Sequence, residues 1–239
     1  MGLLEKIFGK RKKELKEQAV YQNSVNENIS KNSNSFQTNI RGFVSTNKMQ
    51  IDNKLLSTLR KKYIAFDVET TGLSPYNDRI IEIGAVVFEN GIPVRRYGTL
   101  VNAMVNIPPT ASAINYITNQ MIQNAPTEKE VYADLINFLG DALQEKTAIC
   151  AHNAKFDMDF LSETLMRLGY NAKINYVDTL SLSRKLVKGL VNYKQDTVAI
   201  HFGLHNTNAH RAETDAEICG SIFSKLLEIM EKDQEKNRV

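Results

Sequence analysis

Two acidic residues, Asp67 and Glu69, stand one residue apart at the end of an apolar stretch that begins at Tyr63. The apolar and β-branched residues of this stretch predict a β-strand. Because side chains alternate across a strand, the two carboxylates share one face. Carboxylates so close together repel each other and resist burial, so a positive charge is expected between them. A divalent cation is the simplest candidate.

Two further motifs end in aspartate and could bring more oxygen ligands to the same place. The segment His-Asn-Ala-Lys-Phe-Asp ends at Asp157 and follows a predicted strand over residues 147–151. Asp157 falls in the first turn of the next helix, where the helix dipole favours an anion. The segment His-Arg-Ala-Glu-Thr-Asp ends at Asp215, and apolar residues recur after it at helical spacing. Asp215 therefore heads the core-facing side of a helix, where a charge must be paired or metal-bound.

Together with Asp-Val-Glu-Thr-Thr-Gly at residues 67–72, these segments form an ordered set of three motifs. The set resembles the exonuclease motifs of the DEDDh family of 3′–5′ exonucleases. Within that family it is most similar to the proofreading epsilon subunit of bacterial DNA polymerase III and to the exonuclease part of the Gram-positive replicative polymerase. The resemblance extends from about residue 63 to residue 229 and leaves out the first quarter of the chain.

The resemblance implies a phosphodiesterase site with two divalent cations. The expected metal ligands are Asp67, Glu69, Asp157 and Asp215. Oxygen-only ligands suit hard Mg²⁺ or Mn²⁺, and in the family the first of these residues bridges both ions. His210 would be the general base towards the attacking water, because the pKa of histidine lies near neutrality. The substrate groove is expected to be formed by Thr70, Thr71, Gly72, Leu73, Asn153 and Phe156.

Three functions from different classes are compatible with these motifs. The first is a metal-dependent 3′–5′ exonuclease on DNA ends, of proofreading or repair type. The second is the same chemistry on RNA, since no motif reports a contact to the sugar 2′-hydroxyl. The third is a noncatalytic nucleic-acid-binding module of the same fold, which the complete set of motif residues disfavours. The expected partner is DNA with single-stranded or frayed 3′ ends, and a DNA polymerase in trans is a second candidate partner.

The order of predicted elements favours an α/β fold with a mixed sheet and helices on both faces. Strands over residues 80–89 and 93–101 flank an Asn90-Gly91 turn that is typical of a hairpin. Helices are predicted over residues 111–123 and 127–143, the second with a capping box. Further helices are expected over residues 180–188, 195–202 and 212–231. The family resemblance implies the same architecture, a ribonuclease-H-like fold. Glu82 is an isolated charge in the second strand, and it could either position the groove or the metal cluster, or project to solvent at a sheet edge.

The chain is predicted to divide into residues 1–55, a basic amphipathic segment and disordered linker, and residues 56–239, the exonuclease domain. Residues 1–62 contain 13 Lys/Arg and 5 Asp/Glu, a balance of +8, within a chain of net charge +3. Residues 1–18 combine apolar and basic side chains in a pattern that predicts a short amphipathic helix, and residues 21–39 are rich in Asn, Ser and Gln. The basic segment could contact nucleic acid, an acidic membrane surface or a protein partner.

The two cysteines, Cys150 and Cys219, lie in different segments and lack the spacing of a zinc site or disulfide framework. They are expected to be partly buried thiols in a reducing environment, which favours a cytoplasmic location. No apolar run is long enough to predict a transmembrane helix, and the amino terminus lacks the apolar region of a signal peptide.

Overall fold

A six-stranded mixed sheet forms the centre of the part of the chain that the computed structural model describes, residues 40–205 and 211–236. The strands are β1 Val44–Lys48, β2 Lys62–Thr70, β3 Ile80–Glu89, β4 Ile92–Leu100, β5 Ile149–Ala151 and β6 Ala172–Asp178. Their order across the sheet is β1-β6-β5-β2-β3-β4. β2, β3 and β4 pair antiparallel, whereas β5, β6 and β1 extend the sheet in parallel from β2. β2 therefore lies inside the sheet, where the two pairing modes meet.

Helices connect the strands and cover the sheet. They are α1 Asn53–Lys61, α2 Pro109–Asn115, α3 Asn119–Ile122, α4 Glu128–Leu139, α5 Lys155–Arg167, α6 Thr179–Leu186, α7 Gln195–His201 and α8 Ala212–Lys236. A 3₁₀ turn, Gly140–Leu143, follows α4. Among the residues described, no helix combines the length and apolarity needed to cross a membrane.

The alternation of side chains along β2 divides the core into two layers. Ile64 and Phe66 point to one face and pack in a cluster with residues of α4 and α5. Tyr63 and Ala65 point to the other face and pack in a cluster with residues of α1 and α8. The predicted mixed sheet with helices on both faces is confirmed.

Local signals in the sequence predict several elements correctly. Asn90 and Gly91 have positive φ angles of 53° and 77° and join β3 to β4, as a tight hairpin requires. The capping box is formed by Thr127 and Glu130, whose carboxylate accepts a hydrogen bond from the Thr127 backbone N–H at 2.8 Å. These features depend on neighbours within four residues, which is why the sequence pattern is sufficient to predict them.

The helix predicted over residues 111–123 is interrupted. α2 ends at Asn115 and is followed by Tyr116, which adopts a left-handed conformation with φ 57°. α3 begins after Thr118, whose side chain caps it. The Asn115 carboxamide oxygen accepts a hydrogen bond from the Ile117 backbone N–H at 3.1 Å. Side-chain to backbone bonds of this kind compete with helical hydrogen bonding. The apolar spacing on which the prediction rested does not detect that competition.

The sheet begins before the predicted linker ends at residue 55. β1 pairs in parallel with β6 from Val44 opposite Ala172 to Lys48 opposite Tyr176. Asp52 then caps α1 by accepting a hydrogen bond from the Leu55 backbone N–H at 2.7 Å. The strand sequence Val-Ser-Thr-Asn-Lys is short, polar and largely exposed, so it lacks the apolar alternation by which a strand is usually predicted. The basic segment of residues 1–18 and residues 21–39 of the linker lie outside the described residues.

Candidate metal and nucleic-acid site

Three carboxylates meet at the carboxyl end of β2. One oxygen atom from each of Asp67, Glu69 and Asp215 lies within 4.8 Å of the others. Asp67 and Glu69 come together because they are two residues apart on β2, so both side chains point to the face that α8 covers. Asp215 joins them from the first turn of α8, which crosses β2 and β3. Gly84 on β3 allows this close approach, because a Cβ atom there would lie only 2.0 Å from the carbonyl carbon of Ala212.

Asp157 approaches the same site from the other side of β2. It lies in the first turn of α5 and is only 4 % exposed. It is not one of the three residues whose oxygens cluster within 4.8 Å, but it lines the same cavity of about 260 Å³ as Asp67, Glu69 and Asp215. The structure therefore brings all four predicted metal ligands around one cavity.

The carboxylates that line the cavity raise one another's pKa values. Burial raises the pKa of Asp67, and the charges of Asp157, Asp215 and Glu69 raise it further. Burial, followed by repulsion from Asp215 and Glu82, raises the pKa of Glu69 to about 7. Burial also raises the pKa of Asp157. A divalent cation relieves this repulsion, and oxygen-only ligands at such distances suit Mg²⁺ or Mn²⁺.

One neutral side chain beside this cluster has no signal in the motifs. Asn115, at the end of α2, is 3 % exposed, and its amide donates a hydrogen bond to the Thr70 carbonyl at 3.2 Å. A hydrogen bond from Asn115 also favours the charged form of Glu69 and lowers the pKa of that carboxyl. The role of Asn115 could not be found from the sequence, since it depends on a segment 45 residues away in the chain.

A second, more apolar pocket of about 360 Å³ adjoins the carboxylates. Of the predicted substrate residues, those that line it are Thr70, Thr71, Gly72, Leu73 and Phe156. The Leu73 side chain is 85 % exposed at its rim, and Phe156 lines both this pocket and the acidic cavity. Ile114 on α2 also lines the pocket, although it belongs to none of the three motifs. An exposed apolar pocket beside buried acids is suited to a flat aromatic group attached to a charged one.

The threonine hydroxyls of this pocket are engaged within their own turn. Thr70 Oγ1 donates to the Gly72 carbonyl at 2.6 Å. Thr71 Oγ1 accepts from the Arg79 backbone N–H at 3.0 Å and bonds to Asp78 at 3.3 Å. The two threonines thus shape the turn that follows β2.

Asn153 is the predicted groove residue that the structure does not place in either of these pockets. It adopts a left-handed conformation with φ 69° between β5 and α5. Its backbone N–H donates to the Asp178 carboxylate at 3.2 Å. That hydrogen bond joins the loop before α5 to the end of β6, so the observed contact of Asn153 stabilises the loop.

Three residues that were not among the predicted site residues also line the acidic cavity. They are His152, Gln195 and Asp196. His152 bonds through Nδ1 to Thr179 at 3.0 Å and through Nε2 to the Tyr193 carbonyl at 2.8 Å, and burial lowers its pKa. Gln195 donates from Nε2 to the Asp215 backbone carbonyl at 3.0 Å. Hydrogen bonds therefore join Tyr193 and the first residue of α7 to His152 and Asp215, two residues that line the cavity.

The predicted general base, His210, lies outside the described residues, which resume at Arg211. The Arg211 side chain forms an ion pair with Glu82 of β3. Glu82 is 4 % exposed, so of the two alternatives for this residue, projection to solvent is wrong.

Comparison with known proteins agrees with this fold and site. The structure of E. coli Exonuclease I in complex with a dT13 oligonucleotide superposes with a TM-score of 0.63 at 17 % identity, over 74 % of this chain and 43 % of that one. This likeness confirms the ribonuclease-H-like fold class. The chain matches the Exonuclease family over residues 64–223, and it belongs to that family.

Two relatives in sequence are DNA polymerase III proteins of bacteria. The DNA polymerase III subunit epsilon of Treponema pallidum is 38 % identical over 170 residues, which cover 69 % of this chain and 76 % of the relative. A DNA polymerase III PolC-type of Caldanaerobacter subterraneus subsp. tengcongensis is 38 % identical over 176 residues, or 74 % of this chain. That match spans only 12 % of the PolC-type protein. Exonuclease X in complex with 5′ overhanging duplex DNA superposes with a TM-score of 0.54 at 26 % identity, over 70 % of this chain and 90 % of that one.

Proposed function

We propose that this chain is a metal-dependent 3′–5′ exonuclease that releases nucleotides from DNA 3′ ends, in proofreading or repair. The observation that supports the proposal is the acidic cavity itself, where Asp67, Glu69, Asp157 and Asp215 converge beside an exposed apolar pocket. Burial and the neighbouring carboxylates raise the pKa values of Asp67 and Glu69 in this cavity. A phosphate can approach four carboxylates only if cations accompany it.

The four carboxylates are the proposed ligands of two Mg²⁺ or Mn²⁺ ions. When bound, two such ions supply charge stabilisation at the attacking and the leaving oxygen of a phosphodiester. Asp67 is proposed to contact both ions, which is the role that the family resemblance implies, and it lines the cavity together with the other three carboxylates. His210 is proposed to take the proton of the attacking water in its neutral form.

The apolar pocket is the proposed site of the terminal base. Leu73, Ile114 and Phe156 offer apolar surfaces on which an aromatic base can stack. A base must leave its own stack to reach such a pocket, and an unpaired end loses less free energy in doing so. We therefore expect single-stranded or frayed ends to be preferred.

The preference for DNA and the cellular setting are proposals that rest on relatives. The subunit epsilon and PolC-type relatives are both named as DNA polymerase III proteins, and the structure of Exonuclease X contains 5′ overhanging duplex DNA. A proofreading role would need a DNA polymerase as partner in trans, and a cytoplasmic location would follow from work on bacterial DNA.

Digestion of end-labelled oligonucleotides tests the proposal. Single-stranded DNA and RNA of one sequence, and a circular single strand, are incubated with Mg²⁺, Mn²⁺ or excess chelator. We expect a 5′-labelled DNA strand to shorten stepwise, a 3′ label to appear at once as mononucleotide, and chelator to stop both reactions. Asp67→Asn and Asp215→Asn should lose most activity while keeping the wild-type circular dichroism spectrum.

Each alternative gives a different result in this experiment. Faster shortening of the RNA strand would make the enzyme an exoribonuclease. Cleavage of the circular strand at an equal rate would make it an endonuclease. Undiminished cleavage by metal-free protein in chelator would contradict the role of the carboxylates, and binding without any cleavage would indicate a noncatalytic module.

A further inference from the structure

The ion pair between Glu82 and Arg211 anchors the start of α8 to the sheet. Arg211 Nε and Nη2 both donate to Glu82 Oε1, at 2.9 and 2.5 Å. The other oxygen, Oε2, accepts from the Ala212 backbone N–H at 3.2 Å. The Glu82 side chain is 5 % exposed and that of Arg211 is 50 % exposed, so the carboxylate is buried and the guanidinium reaches it from the surface.

This anchor connects directly to two of the proposed metal ligands. Glu82 lies opposite Glu69 in the β2–β3 register, where the regular pairing ends in an irregularity between Glu69 and Thr70. Arg211 accepts, through its backbone carbonyl, a hydrogen bond from the Asp215 N–H at 3.0 Å. A continuous set of hydrogen bonds therefore runs from β3 through Arg211 to the backbone of Asp215.

We infer that Glu82 and Arg211 are positioning residues that hold the first turn of α8, and with it Asp215, at the correct distance from Asp67 and Glu69. The inference rests on the proposed function and deepens it. Neither residue touches the substrate in this scheme. Both act by keeping the ligand oxygens of β2 and α8 within reach of the same cations, as outer partners of metal ligands do. The same anchor holds the backbone directly after His210.

Electrostatics alone would give the two residues opposite effects. Glu82 adds a negative charge near Glu69 and raises its pKa, whereas Arg211 adds a positive charge and lowers it. Through charge alone, loss of Glu82 would weaken cation binding and loss of Arg211 would strengthen it. A positioning role predicts that both losses weaken it.

The test compares Glu82→Gln, Arg211→Gln and the double variant in the full-length protein. Glu82→Gln keeps the shape of the side chain and removes its charge, whereas Arg211→Gln removes the charged guanidinium and leaves a shorter polar side chain. The two substitutions change the net charge in opposite directions. We measure Mn²⁺ affinity by calorimetry without DNA, kcat and KM on a single-stranded oligonucleotide, and Tm. Both single variants should lose about 10–100-fold in Mn²⁺ affinity and in kcat, with little change in KM. The double variant should be no worse than the more impaired single variant, because both act through one link.

A second ion pair on α8 provides the matched control. Arg96 of β4 donates from Nε and Nη2 to the two oxygens of Glu217, at 2.6 and 2.7 Å. It also fastens α8 to the sheet, but with both side chains more exposed than Glu82. Arg96→Gln and Glu217→Gln should shift Tm at most and leave Mn²⁺ affinity and kcat unchanged.

The outcomes separate this inference from the proposed function. Opposite shifts in Mn²⁺ affinity for the two single variants, additive losses in the double variant, or changes equal to those of the control pair would overturn the positioning role while wild-type protein still binds Mn²⁺ and cleaves DNA. If wild-type protein neither binds Mn²⁺ nor cleaves, the proposed function itself fails.

Discussion

At the scale of single residues, the ionised carboxylates of the site destabilise the folded protein, because they are close together and partly shielded from water. Asp157 is a buried carboxyl and Asp67 a half-buried one, both with raised pKa values, and the pKa of Glu69 is raised to about 7. An unfolded chain ionises a glutamate near pH ~4.3. Between these values the folded protein binds more protons than the unfolded one, so the free energy of unfolding of metal-free protein falls as pH rises.

The first prediction follows from this proton linkage. In chelator at pH 8, Glu69→Gln should raise Tm above that of the wild-type protein, by about 2–4 °C for each kcal/mol gained. The difference should shrink as pH falls through the window between about 7 and ~4.3, because wild-type Glu69 then regains its proton. Thermal denaturation from pH 4 to 8 measures it, and activity with Mg²⁺ should be lost in the same variant.

The exposed residue Asp134, on α4, offers a matched carboxylate for comparison. Asp134→Asn should not raise Tm in chelator at pH 8. Destabilisation of the metal-free protein at pH 8 by Glu69→Gln would contradict the proposed repulsion.

The second prediction concerns His210. His210→Ala should lower turnover by about 10²–10⁴-fold, the range typical of a general base, without abolishing Mn²⁺ binding. In the wild-type protein the rate should rise with pH as the imidazole loses its proton. A pH–rate profile beside Mn²⁺ calorimetry separates the two effects, with His201→Ala on α7 as the control that retains activity. Unchanged turnover across the neutral range, or loss of metal binding, would exclude His210 as the base.

At the scale of elements, β1 and α1 extend the folded unit towards the amino terminus. β1 pairs with β6, and Leu56 and Leu59 of α1 are buried in the cluster that includes α8. Arg41 forms an ion pair at 2.5 Å with Glu163 of α5, whose side chain is only 7 % exposed. These contacts make Arg41, β1 and α1 part of the folded unit.

The third prediction is that two truncations differ. A chain beginning at Ile40 should keep the Tm and the oligonucleotide turnover of the full-length protein. A chain beginning at Leu56 should melt several degrees lower, because it exposes the edge of β6, leaves Glu163 buried without its partner and removes the Asp52 cap, which alone is worth about 0.5–2 kcal/mol. Equal melting temperatures for the two chains would show that β1 adds nothing to the domain.

At the scale of the whole molecule, charge is unevenly distributed along the chain. Residues 63–239 contain 17 Lys/Arg and 22 Asp/Glu, a balance of −5, whereas residues 1–62 carry +8. An acidic catalytic part attracts its cations but repels a polyanionic strand outside the site. The basic amino-terminal part can therefore supply the attraction to DNA phosphates that the rest lacks.

The fourth prediction tests that role. Removal of residues 1–39, which contain seven Lys/Arg and four Asp/Glu, should weaken binding to long single-stranded DNA at low salt. The slope of log affinity against log salt should become shallower by about 0.7 for each phosphate that residues 1–39 neutralise in the full-length protein. Turnover of short oligonucleotides should stay unchanged. Fluorescence anisotropy over a salt series measures the slope, and an identical slope for both proteins would exclude an electrostatic role of residues 1–39 on DNA.

The sequence by itself determined the four carboxylates, the mixed α/β architecture and the hairpin and capping box. Each of these depends on short-range regularities, namely the two-residue alternation of a strand, the helical repeat and the chemistry of tight turns. That Asp67 and Glu69 share a face is a local consequence of strand geometry, so it could be predicted without a structure.

Only the tertiary structure decided which other side chains lie beside those carboxylates and bond to the segments that carry them. The burial of Glu82, its bond to Arg211 129 residues away, and the contact of Asn115 with Thr70 all join segments distant in the chain. Gln195 reaches Asp215 through an α7–α8 packing that no motif encodes. β1 is a polar edge strand that is specified by the free edge of β6 rather than by its own pattern. Such contacts arise from how elements pack, and local sequence patterns carry no information about the distance between segments once the chain is folded.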